Sequence, residues 1–395
     1  MTLEILQGPA FSAAGKAMGE LAIAGCVGSE CVRQQLITAD MVQSLSKTIF
    51  SVLLPMFLCT NVMKSAVTYG ITVSTLGVPA LSILHALLLY VLSSQLIVPI
   101  LFGLDPTSDE GRSTIVSCSW GNAGVVPLIF AEALFRRDPS LLSRCYTNVS
   151  MFLVGWSPFF WSFGRSVLID SSSVENKDPV VNKTIKSSYI KRLFPPPVKG
   201  VTAGLVIALS PLCPLFLAKE EGGPIPPLGI LYNTFENLGR AANPLALLVL
   251  TCSLAMGASS SLNSSTLVSK RNNRNGGDGE TSRSSKAFST ATMWKRWGSV
   301  SLSRFFISPI VMLSLLKLMS HLGLLDSSEQ NPMLWFVLIL ESCMPPAQNS
   351  VLMLQVANKA HEATQMARFL FLMYATSMIP IVLVVSIALK SLALI

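Results

Sequence analysis

Gly121-Asn122-Ala123-Gly124-Val125-Val126-Pro127 and Met344-Pro345-Pro346-Ala347-Gln348-Asn349-Ser350 each interrupt an apolar segment long enough to cross a membrane. Each stretch joins helix breakers to amide side chains. Pro127, Pro345 and Pro346 lack an N–H and clash with the preceding turn. Gly121 and Gly124 admit backbone conformations that other residues avoid. Hydrocarbon offers no water to freed N–H and C=O groups, so such a break survives only where protein or an aqueous cavity surrounds it. Two half-helices joined by an extended peptide are therefore expected in each segment. Half-helix N-termini carry unsatisfied N–H groups and partial positive charge, and can hold a carboxylate without a cation. Asn122, Gln348 and Asn349 add neutral donors and acceptors at the same depth. The sequence thus predicts a polar pocket with no charged side chain at its heart.

Composition supports a membrane setting. The chain of 395 residues is 51% hydrophobic and 13% charged, with a mean hydropathy of +0.55; soluble domains carry roughly 25% charged residues. The net charge of +8 is concentrated in two stretches. Arg165 to Lys199 holds seven basic and three acidic residues, and Ala258 to Arg296 seven basic and two acidic. The positive-inside rule places both on the cytosolic face and both termini on the far side. Arg33, Arg112, Lys359 and Arg368 then fall on the cytosolic side, and Arg136, Arg137 and Arg144 oppose the trend. Nucleic-acid binding is not expected, because the basic stretches lack interleaved aromatics. The eight cysteines are scattered without a CxxC pair, and read as small buried apolar residues.

At about 20 residues per span, ten segments emerge. Five precede the first basic loop: Phe11 to Gly28, Ser44 to Val62, Ile71 to Phe102, Ser113 to Leu134 and Cys145 to Leu168. Five follow it: Gly200 to Leu217, Leu238 to Met256, Val300 to His321, Met333 to Val356 and Arg368 to Leu392. The expected fold is an all-α membrane protein of ten helices. Residues 1–168 form one five-helix repeat, 169–198 a cytosolic loop and 199–395 a second repeat, with a disordered basic loop at 258–296. An odd number of spans per half inverts the second repeat, and a broken segment stands fourth in each half, as in carriers whose substrate sits between half-helices.

Ionisable residues at membrane depth are functional candidates. Glu341, one turn before the proline pair, and His85, in the middle of the third segment, are candidates for proton coupling. Lys16 and Glu20 share a helical face and can neutralise each other. Glu132 reads as solvated, and Arg304 as reaching towards the cytosolic headgroups. No catalytic group, metal or cofactor is expected: His361-Glu362-Ala363-Thr364-Gln365 lacks the second His of a zinc-protease helix, and no phosphate-binding GxxxxGK occurs.

Cys118-Ser119-Trp120-Gly121-Asn122-Ala123-Gly124-Val125-Val126-Pro127-Leu128 resembles the first crossover motif of the auxin efflux carriers, in particular the PIN-LIKES branch. Met344-Pro345-Pro346-Ala347-Gln348-Asn349 is similar to the second. Ala123 and Val125 stand where that pattern has Thr and Asn, so this side is less polar. The resemblance implies crossed broken helices, export of indole-3-acetate from the cytosol, and, for that branch, residence in the endoplasmic reticulum membrane, with the plasma membrane as alternative. A homodimer is a possible assembly. Asn122, Val125, Val126, Pro127, Pro345, Pro346, Gln348 and Asn349 are the candidate substrate residues. A cation-coupled carrier of another organic anion, with Glu341 nearest the crossing, is the alternative. A non-transporting receptor or intramembrane enzyme is the third reading, with no catalytic group to supply it.

The topology makes a direct prediction. Asn182-Lys183-Thr184 and Asn263-Ser264-Ser265 match the glycosylation pattern; on cytosolic loops they stay unmodified. Glycosidase treatment should leave the electrophoretic mobility unchanged, whereas a glycan on either asparagine reverses the orientation.

Overall fold

The computed structural model describes residues 9–69, 73–169, 195–217, 226–242, 244–249, 251–253, 255–256, 290–392 and 394. Most of the first basic loop (170–194) and residues 257–289 of the second lie outside the described residues. Among the described residues the regular structure is helical, with one isolated antiparallel bridge, between Gly121 and Pro346.

Helix α1 is Pro9–Arg33. Helix α2 runs through Ala39–Thr48, a π-turn at Ile49–Leu53 and Leu54–Tyr69. Helix α3 comprises Val73–Leu92 and a π-helical end, Ser93–Leu101. The first broken segment is α4 (Asp109–Ser119) and α5 (Val125–Phe135). Helix α6 comprises Pro139–Phe159, a π-turn at Phe160–Gly164 and Arg165–Leu168. Then come α7 (Pro196–Leu209), a short turn at Cys213–Phe216, α8 (Gly229–Arg240) and further helical residues within 242–256. Helix α9 comprises Thr290–Leu302, a π-turn at Ser303–Ile307 and Ser308–His321. The second broken segment is α10 (Pro332–Ser342) and α11 (Asn349–Val356), and α12 (Ala360–Ser391) closes the fold.

The outer ends of the broken helices have ordinary causes. Ser108 Oγ accepts from Gly111 N–H at 3.0 Å, with Asp109 and Glu110 in the first turn of α4. Asn331 Oδ1 accepts from Leu334 N–H at 3.2 Å, with Pro332 opening α10. These are capping arrangements that satisfy orphan N–H groups. The inner ends have no such local solution.

Among the described residues, four helices are long and apolar enough to cross a membrane: Ala39–Val67, Gly77–Leu101, Ala291–His321 and His361–Ser391. Val126–Phe135, Pro196–Leu209 and Pro332–Ser342 are shorter apolar helices. Two expected boundaries change. Residues 290–296, expected in the second basic loop, are the first turns of α9. Arg296 is 2% exposed. Its Nε and Nη2 donate to Thr114 Oγ1 and Ser113 Oγ at 3.1 and 2.9 Å, and its guanidinium lies 4.5 Å from the Phe369 ring centroid. A count of charges cannot tell such an arginine from a solvated one. The sixth segment likewise stops being regular helix at Leu209, where Ser210 turns outward, instead of continuing to Leu217.

The second half of α2 packs on α7 and α8, and small residues permit the approach, as in lipid-embedded helix pairs. A Cβ on Gly200 would sit 2.3 Å from the Pro55 carbonyl oxygen, and one on Gly204 2.6 Å from that of Cys59. Elsewhere α3 packs on α6, α6 on α10, and α9 on α4 and α12. Helix α1 touches helices from both halves of the chain. It packs along α5 and α12, while its Gly28 abuts Thr251 and accepts from Cys252 Sγ.

Gly200→Leu should therefore force α2 and α7 apart. A loss of about 1–3 kcal/mol or more is expected from such overpacking. It would be read as a lower unfolding temperature in detergent, against Val206→Leu at an exposed site on the same helix. Equal stability of the two variants would contradict the packing.

Candidate functional site: the crossing of the broken helices

The two interrupted segments meet and bond through their backbones. Asn122 N–H donates to the Pro345 carbonyl at 2.7 Å, and Ala347 N–H donates to the Trp120 carbonyl at 3.0 Å. Each peptide thus supplies what the other's break removed. The prolines contribute acceptors only, and both are used: Pro345 by Asn122, and Pro346 by Tyr374 Oη at 3.1 Å. Asn122 is fixed on both sides of its amide. Its Nδ2 donates to Tyr374 Oη at 2.7 Å and its Oδ1 accepts from Gly124 N–H at 3.3 Å.

The C-terminal ends of the half-helices are closed by α9. Ser303 Oγ donates to the Cys118 carbonyl at 3.1 Å. Arg304 Nε donates to the Met344 carbonyl at 2.9 Å and Nη2 to the Glu341 carbonyl at 3.3 Å. Ser308 Oγ donates to the Ser342 carbonyl at 2.6 Å, and His85 Nε2 lies 3.1 Å from the same hydroxyl. The π-turn at Ser303–Ile307 holds the first two of these donors; such local widening of a helix recurs at functional sites.

Arg304 corrects two expectations. It is 1% exposed and does not reach the headgroups, and a full positive charge stands at the crossing. The cause is local. Unbonded carbonyls in an apolar interior are strong acceptors, and a guanidinium brings five donors in a fixed fork. Gly121 makes the approach possible, since a Cβ there would fall 2.0 Å from Arg304 Nη2.

The N-terminal ends of α5 and α11 meet a different environment. Asn122, Gly124, Gln348 and Asn349 line a narrow cavity of about 30 Å³. Its other walls are Ile49, Leu54, Phe57 and Leu58 of α2, Leu153, Trp156, Ser157 and Trp161 of α6, and Ala242 and Ala246; α9 contributes nothing. Trp156 stacks on Phe160 and Trp161 meets Phe50 edge-on, which fixes the aromatic wall. Gln348 is 5% exposed, and among the described residues its Oε1 has no donor.

Helix α2 serves as a ruler through this region. Thr60, Asn61, Lys64 and Ser65, near its C-terminal end, line a wider vestibule of about 540 Å³ with Glu132, Tyr146, Glu236 and Arg240; Phe57 and Leu153 border both spaces. At its N-terminal end the access is tied. Ser46 Oγ donates to Gln355 Oε1, Gln355 Nε2 donates to Ser253 Oγ at 2.9 Å, and Gln43 Nε2 donates to Asn358 Oδ1 at 3.1 Å.

The structure brings together Asn122, Pro345, Pro346, Gln348 and Asn349. Val126 and Pro127 are buried in the first turn of α5 outside the cavity lining, and the Val125 side chain lies outside the described residues. Leu128 lines the vestibule. Glu341 is 2% exposed, and among the described residues neither of its carboxyl oxygens has a donor. His85 is buried against Ser308. Glu132 is half exposed and paired with Arg136 at 3.1 Å. Lys16 is exposed, and the Glu20 side chain lies outside the described residues. Sequence reading missed Arg304, Ser303, Ser308, Tyr374 and the two tryptophans. Only Arg304 carried a signal, a cation inside an apolar segment.

No significant match was found among curated proteins. A family model described as "Membrane transport protein" matches residues 17–385, both broken helices included. The chain therefore belongs to this family of membrane transport proteins.

Proposed function

We propose that this transporter is a secondary carrier that exports auxin-like indole carboxylates from the cytosol by alternating access at the crossing. The observation that carries the reading is the shared cavity. Three amide side chains and the N-terminal ends of two half-helices converge there opposite an aromatic wall. Helix N-termini and amide N–H groups suit a carboxylate; Trp156 and Trp161 suit a flat ring. The resemblance of both crossover stretches to the auxin efflux carriers, PIN-LIKES branch, points the same way, as an analogy of motif.

In the proposed arrangement the chain crosses the membrane ten times as two inverted five-helix repeats. The third to fifth and eighth to tenth spans move against a scaffold built around α2, α7, α8 and residues 242–256. With the basic loops cytosolic, the vestibule at Glu132 opens to the far side and the Gln355 contacts close the cytosolic side. Residence in the endoplasmic reticulum membrane, with the plasma membrane as alternative, and assembly as a homodimer belong to the same proposal.

A second reading, a cation-coupled carrier of another organic anion, is favoured by one observation: a buried carboxyl, Glu341, without a donor. Buried carboxylates without partners are costly, so a proton or another cation at Glu341 would relieve it, with His85 in reach of the same carbonyl row through Ser308.

Three measurements test these readings. Uptake of labelled indole-3-acetate into vesicles should fall on the order of tenfold for Asn122→Ala, the scale of losing a hydrogen bond to a charged group; unchanged uptake removes the assignment. Tyr374→Phe, which frees the Asn122 amide and the Pro346 carbonyl together, should raise KM severalfold while protein yield is kept. Uptake driven by an imposed proton or sodium gradient, and lost in Glu341→Gln, would select the cation-coupled reading.

A further inference from the structure

Two broken helices bring four helix ends to one place, and their charges oppose. Each N-terminal end carries about +0.5 of an elementary charge and each C-terminal end about −0.5. Left alone, two of each would nearly cancel, and the crossing would have little preference for an anion over a neutral molecule of the same shape. The surroundings here are unequal. The C-terminal ends of α4 and α10 are bonded by Ser303, Arg304 and Ser308 of α9. The N-terminal ends of α5 and α11 lie at a cavity to which α9 contributes nothing. A second feature of that cavity points to a ligand: among the described residues Gln348 Oε1, on a side chain 5% exposed, has no donor, which a ring N–H such as that of an indole would supply while the helix ends take the anion.

We propose that Arg304 makes the crossing selective for anions, acting from behind it as a positioning residue that neutralises the α10 carbonyl end and adds a buried positive charge. The inference rests on the reading of the crossing as the substrate site. Arg304 sits against the Gly121 backbone, next to Asn122 in the chain. Its guanidinium donates to two carbonyls, and among the described residues no carboxylate lies within ion-pair distance of it. The titratable and charged groups around it are few. Glu341 on α10 has two oxygens without a donor, which fits a neutral acid better than a carboxylate. His85 on α3 is occupied by Ser308. Arg296, two turns earlier on α9, bonds Ser113 and Thr114 at the other end of α4. The charge of Arg304 is therefore felt at the crossing without a counter-charge, in surroundings where screening is weak.

The test is a ratio. The full chain in proteoliposomes is assayed for inhibition by indole-3-acetate and by its neutral amide, indole-3-acetamide. Wild type should prefer the acid. Arg304→Gln should lower that preference roughly tenfold through weaker binding of the acid, with the amide unchanged. Arg304→Lys keeps the charge but not the fork, and should retain most of the preference at reduced thermal stability. Glu341→Gln should leave the ratio unchanged. An Arg304→Gln protein that is folded and keeps the wild-type ratio overturns the proposal. If that variant does not fold, loss of the preference in Arg304→Lys overturns it instead. Benzoate against benzamide is measured in parallel. Failure of indole-3-acetate to bind at all then removes the functional reading, while the charge preference is still decided by the second pair.

Discussion

Backbone groups freed inside an apolar region must find partners within the protein, and in this chain two breaks satisfy each other. The reciprocal bonds from Asn122 to Pro345 and from Ala347 to Trp120 are the smallest unit that makes both interruptions tolerable. Neither break has a local solution. Prolines remove donors, and the half-helix ends expose carbonyls. The rest follows from that need: α9 turns Ser303, Arg304 and Ser308 towards the carbonyl ends, and Tyr374 holds one amide and one proline carbonyl together. A typical hydrogen bond contributes about 0.5–1.5 kcal/mol net, yet leaving a buried group unmade costs about 1–3 kcal/mol. The asymmetry explains why so many side chains converge on two short peptides.

The same chemistry decides what the site can hold. Carbonyl ends are used up inside the protein, and N-terminal ends are left at a cavity beside tryptophans. Among the described residues, polarity at the cavity therefore comes from the backbone, Ser157 and three amides, while the Arg304 charge sits behind it. Along α2 the tied end, the cavity and the vestibule follow in order, the geometry that the proposed alternating carrier needs in one of its states.

Much of this was legible in the sequence, for a physical reason. Gly and Pro punctuate a chain wherever they stand, so Gly121, Gly124, Pro127, Pro345 and Pro346 marked both breaks without knowledge of neighbours. The amides at Asn122, Gln348 and Asn349 marked the polar depth. What a linear reading misses is how donors on one segment meet acceptors on another. Read along the chain, Arg296 belongs to a solvated basic loop and Arg304 reaches towards the headgroups. Only the fold shows carbonyls and hydroxyls waiting for them at Met344, Glu341, Ser113 and Thr114. Tyr374, Trp156 and Trp161 look like ordinary residues of apolar helices until the crossing is placed beside them.

A structure of the protein with indole-3-acetate bound tests the central claim most directly. The account predicts the carboxylate within hydrogen-bonding distance of Asn122 or Asn349 and of the N-terminal end of α5 or α11, with the ring against Trp156 or Trp161. Ligand density elsewhere, with the crossing cavity left to solvent, or continuous helix through 119–127 and 343–349, would contradict it.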